Sequence, residues 1–329
     1  MTGETDALAA IARRYERFAA VEARGVSPLY EALALGVAGS PELLTFLEGV
    51  PDARRQPNLF LAAIRVVAGL PHDDVGLEAA VRIHAARVRT VMRSQSTQTN
   101  EPARCAVLLP VLARLGQPLA LIEVGASAGL CLLPDRYSYD YGWHRIEPAP
   151  ANPAGTPIFQ CRANTETPMP AALPTIAWRM GLDLNPLDVG SATDMAWLEA
   201  LVWPGQAERA DRLRLAIAVA RAKPPEVRRG DLLADLPALV ALAPKAARLV
   251  VFHTAVLGYV AAQSDRDAFA DAVRRSGAVW ISNEMPSVYP EFARTAPPPP
   301  SPGQFLLAVD GQPVAWTGPH GQSIDWFAR

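Results

Sequence analysis

The sequence predicts an α/β chain: a helical N-terminal region, then a mostly parallel sheet that closes with an antiparallel hairpin. Three observations carry this. The run Leu119-Ala-Leu-Ile-Glu-Val124 is short, nearly all apolar, and ends in the small-residue turn Gly125-Ala-Ser-Ala-Gly129. That is the pattern of a strand buried on both faces which turns sharply at its end. Before residue 119 the apolar residues recur at helical spacing and no segment reads as a strand. At the far end, three strand-like runs follow the prolines 297–300 with no room for a helix between them.

Composition narrows the class. The chain has 329 residues, half of them hydrophobic, so it can bury a large core in one or two domains. A formal net charge of -2 gives no electrostatic case for nucleic acid as the main partner. The three cysteines, Cys105, Cys131 and Cys161, lie far apart in sequence, which suits reduced thiols in a cytosol. The five histidines are scattered and offer no zinc spacing, so no metal is expected. The charged N-terminus is neither a signal peptide nor a membrane span. A cytoplasmic protein with a small-molecule substrate and no membrane partner is the expectation.

Taken in order, Leu8, Ile11, Tyr15, Phe18 and Ala19 form a first helical stripe. Ser27-Pro28 and Ser40-Pro41 each read as an N-cap followed by proline at the first helical position. Residues 58–70 and 77–92 are further helical segments, with His84 on a packed or half-exposed face. Together they predict a helical domain over 1–93 and a sheet domain over 94–329. The polar loop 94–104 follows, with Asn100 as the expected N-cap of the helix that ends at Gly116. It is either a capped surface loop or the lining of a pocket.

After the glycine turn the helix must be short, because Pro134 follows. The strand-like Tyr137–Gly142 and Ile158–Arg162 suggest an inserted hairpin at about 135–170, with Tyr137, Tyr139, Tyr141 and Trp143 as the packing face of a small sheet. Ile176–Leu182 predicts the second parallel strand. Arg228–Leu233 predicts a third ending at Asp231, Leu249–His253 a fourth, and Ala278–Glu284 a fifth. Helices are expected at 195–203, 211–222 and 265–275. Phe305–Val309, Pro313–Thr317 and Ser323–Phe327 are the closing strands, and Asp310-Gly311 is a hairpin signal.

Three chemistries use a strand, a small-residue turn and a helix of this kind. A dinucleotide fingerprint requires glycine where this chain has Ser127 and Leu130. A serine-hydrolase nucleophile elbow matches Gly125, Ser127 and Gly129 literally, with Asp231 and then His253 or His320 to complete a triad. That type has several strands before its serine, and none is expected here. The third is the first motif of class I S-adenosylmethionine-dependent methyltransferases: a hydrophobic strand, an acidic residue, then glycines at alternate positions. The chain resembles it, with Glu123 as the acidic residue and Ser127 in place of the middle glycine.

The chain as a whole resembles an uncharacterised bacterial protein family whose fold is similar to the Rossmann-like sheet of class I methyltransferases. The resemblance rests on residues 98–104, 123–130, 181–188, 229–231 and 251–256. It implies S-adenosylmethionine as cofactor. Backbone groups of Gly125, Ser127 and Gly129 would approach its methionine part, and Glu123 would stand near its amino group. Asp183 would hold the ribose hydroxyls and Asp231 the adenine amino group. Asn100 and Arg104 are further candidate cofactor-binding residues. The distance from the turn to Asp183 exceeds the usual ~20 residues, and the inserted hairpin accounts for it. His253 is the first candidate base, since an ordinary imidazole titrates near 6.5. A histidine that only holds a neighbouring loop fits the same position. Glu284 is the second candidate. The fourth strand ends in His253-Thr-Ala-Val256 and not in the motif of amino methyltransferases, which leaves the methyl acceptor open. The helical region would cover the site and select the substrate. A ligand-binding protein that kept this fold without the chemistry is the alternative.

Overall fold

The computed structural model describes residues 2–98, 100–149 and 155–328, with side chains from Asp6 onward. It divides into two compact units. One comprises residues 1–99 and 192–211, the other residues 100–191 and 212–329.

The first unit is helical: α1 (Thr2–Phe18), α2 (Pro28–Gly39), α3 (Pro41–Glu48), α4 (Pro57–Ala68) and α5 (Asp74–Ser94). Two of its helix starts follow the sequence rules closely. The Ser27 and Ser40 hydroxyls accept the Tyr30 and Leu43 N–H groups, with proline at the first helical position of each. Such caps contribute about 1 kcal/mol each. His84 marks a kink in α5, with non-helical φ and ψ. Residues 192–211, expected with the sheet, group here. Trp197 is buried and its indole N–H donates to the Ser96 carbonyl.

The second unit opens with a 3-10 turn, Pro102–Arg104, and α6 (Cys105–Leu112). Glu101, not Asn100, caps the turn: its carboxylate accepts the Ala103 N–H. The strands are β1 (Leu119–Val124), β2 (Ser138–Asp140), β3 (Arg145–Ile146), β4 (Ile158–Gln160), β5 (Arg162–Ala163), β6 (Ile176–Asp183) and β7 (Val227–Arg229), then β8 (Arg248–Thr254), β9 (Val279–Glu284), β10 (Phe305–Val309), β11 (Gln312–Thr317) and β12 (Ser323–Trp326). Between them run α7 (Ala192–Ala200) and α8 (Ala207–Ala222), which come from or begin in the first unit, then α9 (Leu236–Leu242), α10 (Gln263–Arg275) and α11 (Pro290–Thr295).

Among the described residues these strands form a nine-stranded sheet in the order β5-β12-β11-β10-β9-β8-β1-β6-β7 and a three-stranded sheet β3-β2-β4. β1 pairs in parallel with β6 on one side and β8 on the other. The chain therefore runs outward through β6 and β7, then returns to the far side of β1 through β8 and β9. The strand order reverses between β1 and β8. β10, β11 and β12 continue the sheet antiparallel, and the expected Asp310-Gly311 turn joins β10 to β11 with both residues at positive φ. All six residues of β1 are buried, and each large aliphatic side chain there contributes roughly 1.5–3 kcal/mol.

The inserted segment is a small mixed sheet and not a simple hairpin. β2 pairs antiparallel with β3 and parallel with β4, while β5 leaves it to pair with β12. Residues 150–154 of this insertion lie outside the described residues. Tyr137, Tyr139 and Tyr141 are buried and the first two pack on Phe159, as a packing face requires, whereas Trp143 is exposed. The third parallel strand stops at Arg229, short of Asp231. No helix among the described residues is long and apolar enough to cross a membrane.

Candidate functional site

Open α/β sheets bind ligands at the carboxyl ends of the strands where the order reverses. Here that point lies at the ends of β1 and β8, and β6 pairs with β1 on its other side. Four sequence-predicted residues converge on it from β1 and its turn: Glu123, Gly125, Ser127 and Gly129.

Glu123 is 2% exposed. Its Oε2 has no hydrogen-bond partner among the described residues. Burial pushes its carboxyl well above the ordinary value of 4.5; the Cys131 thiol and Asp183 push the same way, and Arg104 opposes them. Its surroundings therefore favour the protonated carboxyl over the carboxylate.

The turn that follows is tightly shaped. Gly125 and Gly129 take φ of +70°, and Ser127 takes +52°, which costs an L-residue roughly 1–2 kcal/mol. Ser127 is fixed in that conformation by Asp183, whose Oδ2 accepts the Ser127 N–H at 2.8 Å. The other oxygen of Asp183 accepts the Asn185 N–H at 2.7 Å. Asp183 thus sits at the open end of β6, facing the glycine turn, and binds both loops. A helix does not follow the turn; only the 3-10 turn Leu130–Leu132 forms before Pro134.

Two glycines of the site are needed for contact within the protein. A Cβ on Gly125 would stand 2.4 Å from Val256 Cγ2, and one on Gly129 would stand 2.8 Å from Pro225 Cγ. The turn is thus closed over by the residues after β8 and before β7. Ala255, between Thr254 and Val256, is itself at φ +56°. Non-glycine residues in this region are rare and cluster at functional turns. Ser127 and Ala255 stand at the ends of the two strands that flank the reversal.

His253 is completely buried. Its Nδ1 lies 2.7 Å from Glu284 Oε1, and its Nε2 accepts the Trp280 indole N–H at 3.0 Å. Nε2 is therefore the unprotonated nitrogen and Nδ1 carries the proton. The same Glu284 oxygen accepts the Val256 and Leu257 N–H groups. Both ring nitrogens are engaged inside the protein, and the His253–Glu284 pair holds the turn that covers Gly125.

The polar loop contributes a second convergence. Asn100 Oδ1 accepts the Leu130 N–H at 2.9 Å, joining the loop to the glycine turn. Arg104 is buried and donates to the Thr254 carbonyl at the end of β8 and to the Pro319 carbonyl between β11 and β12. Asp231 stands apart on an exposed turn, where its Oδ1 accepts the Leu233 and Ala234 N–H groups.

Sequence reading missed Glu101, Cys131 and Val256, and it considered His320 only for a hydrolase. The thiol of Cys131 donates to the Glu101 carbonyl. Glu101 Oε2 lies 3.7 Å from His320 Nδ1. An acidic residue beside an expected cap was the available signal for Glu101; no local pattern marks the other three. Elsewhere in the unit, a cavity of about 460 Å³ bordered by Asp135, Arg136, Thr156, Ala218 and Val219 contains none of the predicted site residues.

A family model described as an uncharacterized protein conserved in bacteria matches residues 12–326. No curated protein and no solved structure matches the chain.

Proposed function

The chain belongs to the DUF2332 family of uncharacterized proteins conserved in bacteria, and from its own geometry we propose that it is an S-adenosylmethionine-dependent methyltransferase acting on a small molecule. The observation that carries this reading is the junction at the strand reversal: the buried Glu123 carboxyl and the Gly125–Gly129 turn at the end of β1, with Asp183 beside them on β6. The order β7-β6-β1-β8-β9 matches that of Rossmann-like sheets, and its antiparallel continuation supports a class I methyltransferase type of fold.

The residues present fit the cofactor in two respects. Glu123 Oε2 is buried without a partner among the described residues, so an ammonium group would satisfy it. Asp183 keeps lone pairs for ribose hydroxyls after its two backbone bonds. When bound, S-adenosylmethionine supplies an electrophilic methyl group. The chain's part is to bind and orient: Glu123 and the backbone of the turn at one end, and Asp183 at the ribose. Val256 limits how closely a ligand approaches Gly125.

A second reading, a nucleoside-ligand-binding protein without turnover on the same fold, draws support from His253. A base must reach the proton it removes, and this imidazole is buried with both nitrogens engaged. The serine-hydrolase reading draws less support, since the same engagement denies His253 to Ser127. Calorimetric titration with S-adenosylmethionine and S-adenosylhomocysteine tests the proposal. Binding with a Kd well below millimolar is expected for at least one of them. No heat at millimolar ligand would sink the methyltransferase reading.

A further inference from the structure

We propose that His320 and Glu101 form the proton-accepting dyad of this site, an inference that rests on the methyltransferase reading. The segment 100–104 ties three separate pieces of the unit to one place. Asn100 holds the glycine turn through the Leu130 N–H. Arg104 holds the end of β8 through the Thr254 carbonyl at 3.0 Å, and the β11–β12 loop through the Pro319 carbonyl at 2.9 Å. The residue after Pro319 is His320.

The loop lies directly on that segment. A Cβ on Gly321 would stand 2.1 Å from the Ala103 carbonyl oxygen, and Gly321 takes φ +78°, so glycine is required there twice over. The close approach brings His320 Nδ1 to 3.7 Å from Glu101 Oε2. Glu101 is held in turn, because its other oxygen accepts the Ala103 N–H. The His320 backbone N–H donates to Gln322 Oε1 at 2.9 Å. Glu101 and Arg104 are the charged side chains that this segment presents toward the loop.

The division of exposure suits a base. The Glu101 side chain is 6% exposed and the His320 side chain 44%. A buried carboxylate thus orients an imidazole that reaches solvent. His253 has the reverse arrangement, with a buried ring locked between Glu284 and Trp280. The separation of 3.7 Å is longer than a hydrogen bond, and catalytic contacts of this kind tighten when the site is engaged. A carboxylate facing Nδ1 selects the tautomer with its proton on Nδ1, which leaves Nε2 as the acceptor. With S-adenosylmethionine bound, the acceptor's lone pair would bond to the methyl carbon, the electron pair of the carbon–sulfur bond would go to sulfur, and the acceptor's proton would pass to His320 Nε2.

The test is ¹⁵N NMR of the imidazoles in the full chain at a pH where the rings are neutral, with His320→Asn to assign the signal. Wild-type His320 is expected mainly in the Nδ1–H form. Glu101→Gln, whose amide oxygen still accepts the Ala103 N–H, is expected to return it to the Nε2–H form that isolated imidazole favours. A wild-type His320 already in the Nε2–H form, or one indifferent to Glu101→Gln, would overturn the dyad. Saturating S-adenosylhomocysteine is the second arm, run beside calorimetry. Heat with a shifted His320 signal supports the proposal, and heat with an unmoved signal places His320 outside the site and ends it. Absence of heat removes the methyltransferase reading, and with it the role in methyl transfer, while the tautomer still decides whether the pair exists.

Discussion

The side chain of Val256 stands on the α-carbon of Gly125. A Cβ at that position would lie 2.4 Å from one Val256 methyl and 2.6 Å from the other. The valine cannot easily withdraw, because a β-branched side chain has few rotamers and its backbone N–H is held by Glu284. Gly125→Ala therefore meets two penalties, the overlap and the positive φ. A loss of about 2 kcal/mol or more is expected in urea unfolding. Val256→Ala in the same chain should recover the overlap but not the backbone strain. Strictly additive single and double variants would show that the two residues do not press on each other.

Asp183 joins two loops with one carboxylate, and this sets the order of effects when it is changed. The methyltransferase resemblance implies that it holds ribose hydroxyls, and with that role alone the melting temperature would barely move in Asp183→Ala. The bonds to the Ser127 and Asn185 N–H groups imply a cost in the free protein as well. Each bond to a charged acceptor is worth roughly 1.5–3 kcal/mol when buried, and less at this half-exposed position. Asp183→Ala should lower the melting temperature by several degrees, at about 2–4 °C per kcal/mol. It should also weaken S-adenosylmethionine by about tenfold or more if the ribose is held there. A lower melting temperature with unchanged affinity would assign Asp183 to the loops alone.

What was legible in the sequence is what local pattern determines. β1 is readable because both its faces are buried, so its apolar run is unbroken except at Glu123. The caps at Ser27 and Ser40 and the Asp310-Gly311 turn are chemistry within a few residues. The short α9 escaped because seven apolar-rich residues after Asp235 fit a strand or a helix equally. Asn100 was misread as a cap because an amide before a helix is ordinarily one, whereas here it bonds a turn distant in sequence. The Glu101–His320 and Gly125–Val256 contacts join segments far apart in the chain, and only tertiary packing brings them together.

Ser127 offers a sharp test of chemistry. It occupies the serine position of a nucleophile elbow and even shares the unusual positive φ of a strained turn. Yet it is only 4% exposed, and the histidine at the end of the neighbouring strand already accepts from Trp280 through Nε2. With both nitrogens engaged, His253 is not placed to activate Ser127 as a nucleophile. A fluorophosphonate probe should leave Ser127 unlabelled under conditions that label an authentic serine hydrolase completely. Stoichiometric labelling, mapped to Ser127 by mass spectrometry, would restore the hydrolase.

Glu123 gives the chain a pH dependence of definite sign. Its folded-state pKa is raised above the ordinary 4.5, first by burial and then by Cys131 and Asp183. The folded chain therefore holds a proton that the unfolded chain releases as the pH climbs past about that value. The associated stability is fully present below 4.5, and it is lost as pH rises toward the folded-state pKa. Glu123→Gln keeps the shape of the neutral acid and cannot ionise in either state. Urea unfolding of both proteins from pH 4.5 to 8 should show the variant gaining on the wild type as pH rises, by at most about 1.4 kcal/mol per unit. The same proton links stability to ligand. A cation seated against Glu123 favours its ionised form, so at a pH where the free protein's carboxyl is protonated, binding of S-adenosylmethionine should release a proton, and its calorimetric heat should change with the ionisation heat of the buffer. Parallel stability curves for variant and wild type would mean that Glu123 ionises as readily inside the fold as outside it. Its buried, unpartnered oxygen would then require a permanent counter-charge in place of a proton.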